Sequence, residues 1–171
     1  MVPVSLRTDT GGSIRVPSCL CGVVGMKPTF ARISRHNIFP LSPSLDHVGC
    51  ITRSARDTSV VMQHIAGWHQ LDENSTHKKV PAYARIVKNS NTKGVRIGIP
   101  RKYFFDHVPS RVESLFFDCI EILRSAGSVV LHDLDLHNTE QYQRAWQNAG
   151  SCANNWTSVY GPDNYVNGLL L

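Results

Sequence analysis

The apolar residues follow two rhythms. Residues 2–6 are mostly apolar and predict a buried strand that feeds a polar, glycine-containing loop at 8–13. The apolar stretch at 17–25, punctuated by Cys and Gly, predicts a short helix, and Lys27-Pro28-Thr29 then breaks the pattern. Residues 30–51 are rich in Ser and Pro without a clear period, so they are expected to be loop with short strand pieces, ordered by what they pack against. A helical rhythm begins at Ser54, which with Asp57 makes a capping-type start; Thr58, Val61, Met62 and Ile65 share one face, and Gly67 is the stop. The polar stretch 69–91 reads as a surface loop with a short element near 81–87. Its length suits a lid over a substrate or, on the simpler reading, a solvated excursion.

The second half is more regular. Val95-Arg96-Ile97-Gly98-Ile99 predicts a strand closed by Pro100, and Ser110-x-x-Glu113 opens a helix. Val112, Leu115, Phe116, Cys119, Leu123 and Ala126 form an apolar stripe along that helix, which Gly127 ends. Residues 128–134 read as another strand, so the region from about 95 to 134 predicts a right-handed parallel βαβ unit. A last helix is expected over 139–154, with Tyr142, Ala145, Trp146 and Ala149 inward. The fold class is therefore α/β, with a mixed sheet covered by helices. A motif so close to Met1 and an apolar Leu169-Leu170-Leu171 end lead us to expect a partial domain over 1–171, incomplete at both ends.

Composition narrows the function. At 171 residues and 42% hydrophobic, one domain with a substantial core is within reach. The net charge of +5 comes from scattered Lys and Arg, with only His77-Lys78-Lys79 as a small cluster, so no direct nucleic-acid role is expected. No apolar run approaches the ~20 residues that span a bilayer, and a membrane role is not expected. Five cysteines without a C-x-x-C pair point away from a disulfide framework or a zinc site and toward a reducing compartment, the cytoplasm. Cys19 and Cys21 are expected to be small packed residues. Neither a metal nor a cofactor is expected.

The chemistry concentrates at 8–15, T-D-T-G-G-S-I-R. Consecutive glycines leave no side chain between the backbone amides and a ligand, so the N–H groups can converge on one oxygen. Such a nest suits a developing oxyanion, where one preorganised donor stabilises the transition state by ~3 kcal/mol. Asp9 is too short and too near to be a free base and is expected to pin the loop through nearby backbone or hydroxyl groups, with Arg15 flanking it. A phosphate loop would need Gly-Lys-Ser/Thr, which is missing, and a flexible linker would not sit between two apolar runs.

The longer string, T-D-T-G-G-S-I-R-V-P at 8–17, G-V-V-G-M-K-P-T at 22–29, R-I-S-R at 32–35 and S-L-D-H-V-G at 44–49, resembles the amidase signature family. Thr52-Arg53-Ser54 with Asp57, then K-G-V-R-I-G-I-P-R at 93–101, are similar to its next landmarks in the expected order, so the likeness covers about 4–134. The family includes amidases, fatty acid amide hydrolases, allophanate hydrolases and the A subunit of glutamyl-tRNA amidotransferases, all built on a Ser–cis-Ser–Lys triad. The resemblance implies Ser13 as nucleophile, the backbone amides of Thr10, Gly11, Gly12 and Ser13 as the oxyanion hole, a small-molecule amide as substrate, and an acyl-enzyme on Ser13. The family's bridging serine and general-base lysine lie upstream of its nucleophile, and no residue here matches either. The chain is thus expected to be inactive alone and to need the remainder of the domain or a partner subunit. Ser5 and Lys27 do not match the missing roles. Arg7 stands where the family has a glycine, and a long cation there is expected to crowd the strand.

Three functions follow: an amidase acting on a small carboxamide, a glutaminase-type A subunit of a tRNA-dependent amidotransferase, or a non-catalytic truncated product. A Ser-His-Asp reading through Asp46-His47 is set aside, because neighbours on an extended segment point apart; both are read as part of a structural turn. Trp68, Trp146 and Trp156 are read as core or boundary aromatics, and the remaining histidines as surface or satisfied polar groups.

Overall fold

A computed structural model describes residues 2–102, 104–132, 134, 136, 138, 140, 141, 144 and 145. The chain forms two compact units, residues 1–90 and 91–171. In the first, β1 (Val4–Asp9), β2 (Val24–Met26) and β3 (His47–Thr52) make an antiparallel sheet in the order β1-β3-β2. The register pairs Val4 with Thr52 and Asp9 with His47, so the ladder carries the chain to the mouth of the glycine loop. Helix α1 (Arg15–Leu20) follows that loop at once.

β3 exceeds the short strand pieces expected before residue 51. It is the central strand, and alternation gives it two working faces. Val48 and Cys50 face a core shared with Ile33 and with Met62 of α2 (Ala55–Ile65). On the opposite face Gly49 admits other groups. A Cβ there would lie 2.0 Å from the Met26 carbonyl oxygen and 2.7 Å from Cδ1 of Ile14, so only glycine lets β2 and the base of α1 come this close.

α2 begins as expected: Ser54 Oγ accepts the Asp57 amide at 3.1 Å and donates to the Asp57 carboxylate at 2.8 Å. Its Thr58 and Met62 are buried, with Val61 and Ile65 packed beside the core. The polar stretch after it is mostly exposed and carries the short element expected near 81–87, but it is anchored and not a free excursion. Residues 69–90 carry α3 (Tyr83–Lys88) and are tied down by Arg32, whose Nε donates to Tyr83 Oη at 3.0 Å while Nη1 and Nη2 donate to the carbonyls of Lys78 and Lys79 at 2.9 Å. Asp72 and Ser75 are buried within it, and Asp72 Oδ2 accepts the Arg35 amide at 2.7 Å. Those bonds hold the Asp72 carboxyl below its usual range: burial alone would raise it, and the amides of Arg35 and Asn74, the Ser34 hydroxyl and the Arg35 charge outweigh that.

Three further expectations change. Arg7 is exposed and β1 runs unbroken past it, so the long cation leaves the strand without crowding it. Cys19, in α1, and Cys21, the residue that ends it, are exposed rather than packed. Trp68 is half exposed and stacks on His77 at 4.8 Å between ring centroids.

The second unit holds β4 (Arg96–Gly98), α4 (Ser110–Ser125) and β5 (Val129–Leu131), with β4 and β5 parallel, as the strand–helix–strand pattern predicts. Two details differ. The Glu113 carboxylate does not cap the helix but pairs with Arg101. The face turned inward carries Ile120, 5% exposed, with Phe117 and Leu123 partly covered, whereas Val112, Leu115 and Phe116 of the apolar stripe are exposed. The helix expected over 139–154 lies outside the described residues except at 140, 141, 144 and 145, which are helical. No helix among the described residues is long and apolar enough to cross a membrane.

Candidate functional site

The loop between β1 and α1 turns around one carboxylate. Asp9, at the end of β1, is fully buried; its Oδ1 accepts the Gly12 amide at 2.8 Å and its Oδ2 accepts the Ile14 amide at 3.1 Å. Arg15 adds a two-pronged contact, Nε to Oδ2 and Nη2 to Oδ1, both at 3.0 Å. Helix α1 has no side-chain cap of its own at Ile14, and the Asp9 carboxylate takes that place from the preceding strand. Burial on its own would raise the Asp9 pKa; the Arg15 side chain and the amides of Ile14 and Arg15 reverse this and bring it to about 2, so the group is a fixed anion. The Arg15 pKa is raised by the same hydrogen bond. Asp9 and Arg15 thus bond to each other, and Asp9 also to the Gly12 and Ile14 amides of the loop.

Ser13 sits exposed at the turn into α1. Gly12 precedes it at φ +135°, a left-handed angle, and a Cβ there would meet Val16 Cγ2 at 3.1 Å. The four amides expected to face an oxyanion divide into two groups. Gly12 N–H is committed to Asp9. The amides of Thr10, Gly11 and Ser13 have no intramolecular acceptor among the described residues, which leaves three unspent donors within the same turn as Ser13. That hydroxyl has no hydrogen-bond partner among the described residues either. Lys27 Nζ donates to the Pro28 carbonyl at 3.3 Å.

One member of the site reads from sequence only as part of a turn. Asp46, 5% exposed, accepts the Thr10 hydroxyl through Oδ1 and the amides of Leu41 and Ser42 through Oδ2, both at 2.9 Å. Nothing in the spacing of residues 10 and 46 signals this contact; the β1–β3 register, which ends on Asp9 and His47, creates it. His47 turns aside: its Nδ1 lies 2.6 Å from the Leu45 carbonyl and its ring meets Phe30 edge-on at 5.4 Å. Among the described residues no group of three or more His, Cys, Asp or Glu is arranged to hold a metal ion.

A buried acid thus locks a Gly-Gly-Ser turn in which Ser13 is exposed and the amides of Thr10, Gly11 and Ser13 are unspent among the described residues. The chain belongs to the amidase family, whose model matches residues 1–166. It is 45% identical over 137 residues to the A subunit of the glutamyl-tRNA(Gln) amidotransferase of Desulfotalea psychrophila, an alignment covering 80% of this chain and 28% of that one. Among solved structures, the native peptide amidase of Stenotrophomonas maltophilia superposes with a TM-score of 0.68 at 32% identity, over 84% of this chain and 30% of that one. The A subunit of the Thermotoga maritima amidotransferase, at 24% identity, shares the fold with a TM-score of 0.72, over 95% of this chain and 41% of that one. The chain therefore spans between a quarter and a third of the length of the curated relatives it matches.

Proposed function

We propose that this chain carries the nucleophile and oxyanion-binding portion of an amidase that cleaves a carboxamide C–N bond. The observation that supports it most is the Asp9-locked turn, which carries an exposed Ser13 and three unspent amides. Ser13 Oγ bonds to the amide carbonyl carbon, and the carbonyl oxygen takes up negative charge against the Thr10, Gly11 and Ser13 amides. The C–N bond then breaks, the nitrogen leaves as ammonia or an amine carrying the serine proton, and water hydrolyses the ester on Ser13. No described group lies within hydrogen-bond reach of Ser13 Oγ to take its proton. The reading is accordingly that residues 1–171 alone turn over slowly and that the activating base comes from outside this stretch. No cofactor enters the scheme, and the cysteine pattern favours the cytoplasm.

A second reading is favoured by the 45% identity to an amidotransferase A subunit: the amide is the side chain of glutamine, and the ammonia released serves a partner protein. A sulfonyl fluoride or fluorophosphonate probe followed by peptide mass mapping tests the first reading. Labelling confined to Ser13 and lost in Ser13→Ala is expected; labelling unchanged by that substitution removes the nucleophile assignment. Glutamine hydrolysis that rises only with an added partner protein selects the second reading.

A further inference from the structure

We propose that Asp46 is a positioning residue for the oxyanion-binding loop, acting through the hydroxyl of Thr10. The inference rests on the reading of Thr10, Gly11 and Ser13 as oxyanion donors and adds a residue to it. Asp9 fixes the loop from within, by holding Gly12, Ile14 and Arg15. Those bonds constrain the C-terminal half of the turn, and none of them reaches Thr10. The N-terminal half is held from across the sheet: Asp46, in the turn that leads into β3, grips Thr10 through Oδ1.

The other carboxylate oxygen explains why this hold is stiff. Oδ2 is engaged by the Leu41 and Ser42 amides at 2.9 Å, and the turn closes on itself through the Leu45 and Asp46 amides to the Ser42 carbonyl at 2.9 and 2.8 Å. The carboxylate therefore has little freedom to swing, and at 5% exposure water does not compete effectively for Oδ1. A donor whose direction is set before the reaction stabilises developing charge without reorganisation, and a shift of a fraction of an ångström at Thr10 moves its amide with its side chain. Asp9 and Asp46 thus clamp the two ends of one turn, with the oxyanion donors between them.

A merely structural Asp46, needed only to close the turn at 41–46, is separable by experiment because Thr10→Val removes the hydroxyl and keeps the shape, while Thr10→Ser keeps the hydroxyl. In the uniformly ¹⁵N-labelled 171-residue chain, Thr10→Val and Asp46→Asn should speed amide exchange at Gly12 and Ile14 by about tenfold, the scale of one net hydrogen bond. Thr10→Ser should restore wild-type exchange. The rate at which a fluorophosphonate labels Ser13 should fall in Thr10→Val and recover in Thr10→Ser. Unchanged exchange and labelling in Thr10→Val overturn the proposal, even if Asp46→Asn perturbs Leu41 and Ser42. Where Asp46→Asn does not fold, the two Thr10 variants decide alone. Labelling that persists in Ser13→Ala counts against the nucleophile reading, whereas the exchange comparison judges the Asp46 clamp independently.

Discussion

Arg15 reaches back over its own turn to Asp9 and places Nε and Nη2 each 3.0 Å from a different oxygen of the carboxylate. The partners are unequal: Asp9 is fully buried, and the Arg15 side chain is 52% exposed. The buried member therefore carries most of the energetic weight, because removing it strands the amides of Gly12 and Ile14 as well as the cation. Asp9→Ala should destabilise the chain by about 3 kcal/mol and Arg15→Ala by about 1 kcal/mol, the smaller value reflecting solvent screening at the exposed end. Urea denaturation midpoints at neutral pH check the ranking, and a larger loss for Arg15→Ala would contradict it.

The same carboxylate sets an acid limit. Its folded pKa of about 2 lies below the ordinary 3.8, so it stabilises the folded state fully above pH 4 and loses that contribution as pH falls toward and through 2. The difference amounts to about 2 kcal/mol. Asp72, also lowered, adds in the same direction. Unfolding followed at about pH 5, 3.5 and 2.5 should show a decline that Asp9→Asn flattens. An equally steep decline in that variant would place the acid sensitivity elsewhere.

Gly49 has the tightest surroundings of the glycines in the first unit. With a Cβ position only 2.0 Å from the Met26 carbonyl oxygen, Gly49→Ala cannot be absorbed by a side-chain shift, because the obstacle is backbone. A loss of about 3 kcal/mol or more is expected, at or above the upper end for overpacking, and β2 should separate from β3 before the rest unfolds. Amide exchange at Val24 and Met26 measures that separation directly.

The Asp9-locked glycine turn is legible in the sequence because its geometry is local: two glycines, an acid four residues before the serine and an arginine two after it all lie within one turn. β4, α4 and β5 are legible for a related reason, since period and stop residues define each separately. β3 is not, because His47-Val48-Gly49-Cys50-Ile51-Thr52 is interrupted by a glycine and follows a proline-rich run, and its strand character depends on pairing to β1 and β2 on both sides. Asp46 is hidden for the same physical reason. Its partner Thr10 is brought to it by long-range register, which no spacing rule encodes.

Arg32 shows another kind of hidden residue, a buried cation whose three donor nitrogens all meet described acceptors. It converts a polar stretch that reads as solvated into a segment folded against the core. Arg32→Met keeps much of the volume but strands the carbonyls of Lys78 and Lys79, and should cost about 2–4 kcal/mol. Limited proteolysis should then cut within 76–90 first, and cleavage at an unchanged rate would show that the segment is held by other contacts.

The apolar stripe of α4 offers the sharpest comparison between pattern and packing. Leu115 is 59% exposed and Ile120 is 5% exposed, although both are large aliphatic residues on the same helix. Periodicity picks out the first and passes over the second, because the stripe from Val112 to Ala126 is more continuous than the line through Phe117 and Ile120 that meets the strands. If packing decides, Ile120→Ala should destabilise by about 2–4 kcal/mol, a lost side chain plus the cavity left behind. Leu115→Gln should lie within about 0.5 kcal/mol of wild type. The two variants share a helix and a probe, so thermal unfolding followed by circular dichroism compares them without a change of method. A loss at Leu115 equal to that at Ile120 would mean that the stripe is covered in solution, and the area it exposes would then have to be assigned to a contact between chains.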